Sequence, residues 1–314
     1  SPAALPAIEP GKISDDILRR DFTINTLALR LDGDHFCELV DLYGGINDLR
    51  KGLIRILHKN SFIDDPTRIF RGVRYSGRYS FTISPETELR IPTAVPYIAL
   101  LSAQRVRHEL EMIFDEPLSH HMMAALMSYG VLPHIHSALC WDDLIASRFT
   151  AGMEKNEETR TVPRRTASWV LWLIDRSNDE LVGIDRRLIF GSRLMKIIQG
   201  SAFIFSNVES MWNKKASEIT RELDRWPLQA VYGFLLTTPM SRSEDIMNQY
   251  LSQWRLTKPK ITGQDLIDKG VPPGPIYRSI LQLIRDALLD GMINSVNQER
   301  ELVDHYIETF LHRQ

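Results

Sequence analysis

The densest chemistry in the chain lies in Asp64-Asp65-Pro66-Thr67-Arg68-Ile69-Phe70-Arg71-Gly72-Val73-Arg74-Tyr75-Ser76-Gly77-Arg78. Pro66 suits a helix start, where its missing N–H is no loss. Two carboxylates at that end lie where the helix field favours negative charge. The spacing predicts a helix over 64–78 with Asp64, Arg68, Arg71 and Arg78 on one side and Ile69, Phe70 and Val73 on the other. A carboxylate at Asp64 or Asp65 accepts from an exocyclic amine, and Arg68 donates to ring acceptors. Together they present the donor and acceptor edge by which bases are read. The competing reading is a capped amphipathic helix with Asp–Arg pairs one turn apart.

Two further clusters could serve the same chemistry. Arg19-Arg20-Asp21 stands at the mouth of an expected strand. Guanidinium forks suit phosphate and ribose oxygens, and a carboxylate suits sugar hydroxyls; a surface ion pair is the alternative. Ser102-Ala103-Gln104-Arg105-Val106-Arg107-His108-Glu109 opens a second charged helix, with Ser102 as its cap. Arg105 and Glu109 are one turn apart and could support the first helix, or form a plain surface salt bridge. Near the end, Lys269 precedes Gly270-Val271-Pro272-Pro273-Gly274-Pro275, a rigid turn into a helix start whose free amides could take a phosphate. A loop that stops one helix and starts the next explains the same residues.

The elements that must position these groups are mostly helical. Residues 1–12 read as an irregular lead-in, with Pro2, Pro6 and Pro10 each removing a backbone donor. Residues 21–40 read as a hairpin, with Asp32-Gly33-Asp34 at its tip. Asp41 to Gly45 turn sharply, residues 46–52 form a helical turn and residues 53–57 a short strand. Helices are expected at 64–78, 102–114, 118–129, 167–175, 188–198, 226–237, 243–253, 276–289 and 298–312. Pro227 and Pro239 mark boundaries, a break falls near 130–165, and the charged run 153–161 reads as a solvated connector.

The 314 residues allow two or three cores. The net charge of -2 disfavours a wholesale polyanion binder, but residues 48–80 hold eight Arg or Lys against three Asp, so a local basic face is available. No signal peptide or spanning helix is recognisable, so a cytoplasmic protein with no membrane partner is expected. Cys37 and Cys140 form no CxxC and read as two buried free thiols. His120-His121 and His134-x-His136 match no zinc spacing. Trp169, Trp172, Trp212, Trp226 and Trp254 read as packing residues.

In order and spacing, these segments resemble the class II tRNA nucleotidyltransferases, the CCA-adding enzymes and their poly(A) polymerase relatives. The resemblance rests on RRDFTIN at 19–25, DLYGGINDLRKGLIRIL at 41–57, SFIDDPTRIFRGVRYSGRYSFTISPET at 61–87, SAQRVRHEL at 102–110 and ITGQDLIDKGVPPGPIYRSILQLIRDALLDG at 261–291. It implies an α+β, mostly α chain. The expected parts are the C-terminal part of a nucleotidyltransferase head at 1–60, a base-selecting neck at 61–135, a body at 136–250 and an RNA-binding tail at 251–314.

The activity implied is template-independent addition of C or A, from CTP or ATP, to a tRNA or other RNA 3′ end, with release of pyrophosphate. Arg20 and Asp21 would hold the incoming nucleotide, and Asp65 and Arg68 would read ATP and CTP. Arg19, Asn25, Asp64, Arg71 and Arg74 would join them, and Arg105 and Glu109 would support the template helix. Asp41 to Gly45 would form a hinge, and Lys269 and Gly274 would touch RNA. Asp64 and Gln104 each replace a Glu that usually opens its motif, and Arg278 stands where Gly is common.

The family's Gly-Gly-x-Val-Arg-Asp turn and its metal-binding Asp-x-Asp pair find no match here, since Asp32-Gly33-Asp34 reads as turn chemistry. Mg2+ is implied for the complete enzyme, with no ligand assigned in this chain. The expectation is therefore a chain lacking the N-terminal catalytic half of its head, as a fragment or with that half on a second polypeptide. A non-catalytic RNA-binding module is the alternative.

Overall fold

A computed structural model describes residues 13–31, 33–237 and 241–311. The lead-in at 1–12, Asp32 and Pro239 lie outside the described residues. The chain divides into two compact units, Ser1–Met195 and Lys196–Gln314. It is α+β with strands confined to a small N-terminal region, as expected.

The first unit begins with helix α1 (Ile13–Leu18) and a 3-10 turn at Thr23–Asn25. Strand β1 (Ala28–Leu29) pairs antiparallel with β2 (Leu39–Val40), Ala28 opposite Val40 and Leu29 opposite Leu39. The hairpin is therefore far shorter than 21–40. Local side-chain bonds displace the ladder over its first half: the Asp21 carboxylate accepts from Phe22 N at 2.9 Å, and Thr26 Oγ1 donates to Thr23 O at 2.6 Å. Phe22 keeps only an isolated bridge to Ile56. The tip is a 3-10 turn, Gly33–His35, with Gly33 and Cys37 at positive φ.

Helix α2 (Gly45–Lys51) follows the sharp turn at Asp41 to Gly45. Asp41 Oδ1 and Oδ2 accept from the backbone N–H groups of Gly45 (2.7 Å) and Ile46 (3.0 Å). Gly45 permits close approach to the segment before it, since a Cβ there would meet Thr23 O at 2.4 Å. The expected strand 53–57 contracts to β3 (Leu53–Ile54), which pairs parallel with β4 (Thr82–Ile83).

The expected helix 64–78 is two pieces, α3 (Ser61–Asp64) and α4 (Thr67–Tyr79). The break has a local cause. Asp65 precedes Pro66, which disfavours the helical region for it, and it sits at φ -142, ψ 95. Ile69, Phe70 and Val73 are buried, as the helical wheel requires. Full burial of a ring such as Phe70 is worth about 2 kcal/mol.

Short helices α5 (Pro85–Glu88) and α6 (Ile91–Ala94) and a 3-10 stretch at Val95–Leu100 lead to α7 (Ala103–Phe114). Ser102 caps α7 as expected, its hydroxyl accepting from Arg105 N, and Val106, Leu110 and Ile113 are buried. Helices α8 (Ser119–Ser128) and α9 (Val131–Ile135) follow. The expected break at 130–165 is instead mostly helix. α10 (Asp143–Thr159) runs through most of the supposed connector and packs on α11 (Arg164–Leu173). Its apolar face explains this: Ile145, Phe149 and Met153 are buried. Trp169 and Trp172 stack at 5.5 Å and meet Phe114 edge-on, so both are packing residues. Helix α12 (Asn178–Leu188) ends where Ile189 turns left-handed, and α13 (Ser192–Met211) begins beyond it, which divides the expected helix 188–198.

In the second unit, α14 (Ala216–Leu223), α15 (Leu228–Leu235) and α16 (Ser241–Ser252) follow α13. Ile204, Met211, Leu223, Val231, Phe234, Met247 and Tyr250 form one core. Helices α17 (Gly263–Asp268), α18 (Ile276–Leu289) and α19 (Val296–Tyr306) enclose another, built from Ile261, Leu266, Val271, Ile280, Ile284 and Val303. Both cysteines are free, but Cys37 is exposed and Cys140 half-buried, so the expectation of two buried thiols fails.

Candidate nucleotide-selecting site

The first unit brings the Arg19 carbonyl, Asp21, Asp65, Arg68, Arg71, Arg74, Arg105 and Glu109 together where α4 packs on α7. Asp21 is 4% exposed. Its Oδ1 accepts from Phe22 N and from Asn25 Nδ2 at 2.8 Å, so Asn25 orients the carboxylate. Its Oδ2 lies 2.7 Å from Arg71 Nη2, an ion pair not aligned as a hydrogen bond, and Oδ2 has no hydrogen-bond partner. Gly72 permits this approach, because a Cβ there would press on the Phe22 ring at 3.2 Å.

Asp65 Oδ1 accepts from Thr67 N at 3.1 Å, Thr67 Oγ1 at 2.7 Å and Arg105 Nη2 at 2.6 Å. Arg105 thus reaches from α7 to hold the Asp65 carboxylate. Arg68 donates from Nη1 to Ser61 Oγ at 2.6 Å and from Nη2 to the Arg19 carbonyl at 2.7 Å. Burial pulls the Arg68 guanidinium below its ordinary value, against Asp65, Asp21 and Asp64. Arg68 and Asp65 therefore stand beside each other, each aimed by a neighbour.

Glu109 does not pair with Arg105. It faces Arg71 and Arg74, its Oε2 is buried without a hydrogen-bond partner, and burial holds its carboxyl above the usual range while Arg74 and Arg71 pull the other way. The Nε atoms of Arg71 and Arg74 are also buried without partners. Arg74 is 8% exposed and turns toward Glu116, with its guanidinium 5.0 Å from the Tyr75 ring centroid. Arg78 pairs with the same Glu116.

Other expected members stand apart. Asp64 ends α3 rather than opening α4; it is exposed and lies 3.8 Å from His58. Arg20 pairs with Asp16 at 2.8 Å on the surface, and the Arg19 side chain is exposed, so only its carbonyl enters the site. Reading from sequence missed Ser61, Thr67 and Glu116. Ser61 and Thr67 flank Asp65-Pro66, and their roles depend on the chain break there, which a continuous helical wheel hides.

In the second unit, Lys269 follows α17 and pairs with Asp304. Gly270 is left-handed at φ 79, and the Gly274 carbonyl accepts from Tyr277 N at 3.1 Å. A groove of about 720 Å³ runs past Gly274, Pro275, Tyr277, Arg278 and Arg285.

Among the described residues no group of three or more His, Cys, Asp or Glu side chains could hold a metal ion. No helix among them is long and apolar enough to cross a membrane.

The poly A polymerase head domain family matches residues 4–55, and the probable RNA and SrmB-binding site of polymerase A matches residues 80–140. Particular relatives follow. The chain is 29% identical to an A-adding tRNA nucleotidyltransferase of Halalkalibacterium halodurans, over 100% of this chain and 72% of the relative. It superposes on a Thermotoga maritima CCA-adding enzyme complexed with tRNA with a TM-score of 0.72, at 27% identity, over 93% of this chain and 74% of that one. A CCA-adding enzyme in an apo form gives a TM-score of 0.76 at 28% identity, over 99% of this chain and 74% of that one. Structures titled as CCA-adding enzyme with ATP and with CTP give 0.76 and 0.75, both at 28% identity.

These matches correct one expectation. The chain was read as lacking the N-terminal catalytic half of its head, yet the head-domain family matches from residue 4 and solved relatives align over as much as 99% of the chain.

Proposed function

We propose that this chain is a template-independent RNA 3′-end nucleotidyltransferase that adds C or A, from CTP or ATP, to tRNA 3′ ends and releases pyrophosphate. Its similarity to tRNA nucleotidyltransferases over nearly its whole length supports an enzymatic identity. Relatives solved with tRNA, ATP and CTP support RNA and nucleoside triphosphates as its partners.

The observation that carries the nucleotide-selecting role is the cluster of buried polar atoms without hydrogen-bond partners on Asp21, Arg71, Arg74 and Glu109 beside Asp65 and Arg68. Folded proteins seldom leave such atoms unsatisfied, and a polar ligand would satisfy them. In this reading Asp21 Oδ2 accepts from a ribose hydroxyl, and Arg71 supports it from α4. Asp65 accepts from the exocyclic amine common to adenine and cytosine, while Arg68 donates to a ring acceptor. Arg105 keeps Asp65 aimed. The remaining expectations, a hinge at Asp41 to Gly45 and RNA contacts at Lys269 and Gly274, belong to the same reading. So does the division into head, neck, body and tail.

The test is Arg68→Ala with separate titrations of ATP, CTP and tRNA. Loss of a base-reading arginine should weaken ATP and CTP binding by roughly tenfold to a hundredfold, with tRNA affinity nearly unchanged. Equal losses for nucleotide and tRNA would remove Arg68 from the base-reading role.

A further inference from the structure

Ser61 opens the segment 61–87 but is given no role in the sequence reading, yet it touches both members of the base-reading pair. Its side chain is fully buried. Its hydroxyl accepts from Arg68 Nη1 at 2.6 Å, and its carbonyl accepts from the backbone N–H of Asp65 at 3.2 Å. The same carbonyl lies 3.4 Å from Arg68 Nη1. Ser61 opens α3, and the chain breaks between α3 and α4 at Asp65-Pro66. The break lets one residue reach forward to Asp65 and across to Arg68.

We infer that Ser61 is the positioning residue that sets the spacing and orientation of Asp65 and Arg68 for the nucleobase. The inference rests on the base-reading role proposed above and deepens it. A guanidinium on a long side chain has several rotamers, and only one offers its remaining donors toward a base beside Asp65. A buried hydroxyl bonded to Nη1 selects that rotamer before the nucleotide arrives, so affinity is not spent on ordering the arginine. With the Arg19 carbonyl on Nη2, the fork is held at both ends. Nε and the outward N–H groups are left for the ligand. Ser61 touches no substrate in this account; it acts through Arg68.

The test is a double-mutant cycle on the full chain, with ATP and CTP binding measured for the unaltered protein, Ser61→Ala, Arg68→Ala and the double variant. Ser61→Ala keeps the carbonyl and removes only the hydroxyl. It should weaken both nucleotides about tenfold, the size of one hydrogen bond to a charged group. In the Arg68→Ala background the same change should have no effect. A similar loss in both backgrounds would make Ser61 merely structural and overturn the inference, as would unchanged binding in Ser61→Ala. Unchanged binding in Arg68→Ala would overturn the base-reading role and this inference with it. If Ser61→Ala fails to fold, Ser61→Cys takes its place in the cycle and is judged by the same outcomes.

Discussion

The α4–α7 region and the tail both carry arginines, lysines and carboxylates, but they handle charge in opposite ways. Around α4, Asp21, Arg71, Arg74 and Glu109 each keep a buried polar atom without a hydrogen-bond partner. In the tail, half-buried Lys269 pairs with Asp304, and half-buried Arg285 pairs with Asp224 at 2.6 Å, so each cation has a carboxylate partner. The first arrangement costs stability until something polar binds, and it therefore suits recognition of one small, specific ligand. The second costs little, is screened by salt and suits contacts with a phosphate backbone. Arginine content alone does not separate the two regions; the hydrogen bonds their charged groups lack or make do.

The largest effect that bears on this contrast is expected at Glu116. It is 4% exposed and faces both Arg74 and Arg78. Glu116→Ala should destabilise the protein by about 3–5 kcal/mol, because it leaves Arg74 buried without its carboxylate. Urea unfolding measures this, and a cost below about 1 kcal/mol would mean that the α4 charges are screened like those of the tail.

A smaller effect is expected from Glu109. Burial raises its carboxyl above the ordinary value, so the folded protein keeps a proton that the unfolded chain has lost. The contribution of this group to stability should therefore fall as pH rises from its ordinary value through the raised one. Glu109→Gln should flatten that dependence between acidic and neutral pH. Parallel curves for the two proteins would show that Glu109 is solvated.

The smallest effect is expected at Lys269. Lys269→Ala removes an ion pair beside solvent and should change stability by less than about 1 kcal/mol. If Lys269 meets a phosphate, the salt dependence of tRNA binding should become shallower by about one unit of slope. An unchanged slope would leave Lys269 to its partner Asp304.

How much of this was legible in the sequence depended on the range of the interactions. The cap at Ser102, the buried stripe Ile69, Phe70 and Val73, and α18 at Ile276–Leu289 follow from periodicity and cap chemistry within one helix. The nearness of Asp21, Asp65, Arg68 and Arg105 was legible through motif resemblance. What periodicity could not supply was the break at Asp65-Pro66, because carboxylates and a proline also suit a helix start. That break left Asp64 at the exposed end of α3 and brought Ser61 against Arg68. The parallel pair of β3 with β4 is likewise invisible locally, since its two strands join residues 53–54 to 82–83 across the whole of α4. Spacing offered Glu109 either as support for the first helix or as a salt-bridge partner for Arg105, and only the packing of α7 on α4 shows it facing Arg71 and Arg74.

The most direct test of the central claim is an experimental structure of this chain with ATP. The account predicts the adenine edge within about 3 Å of Asp65 and Arg68, with a ribose hydroxyl on Asp21 Oδ2. A base bound away from α4, with Asp21, Arg71 and Glu109 left as they are without ligand, would contradict it.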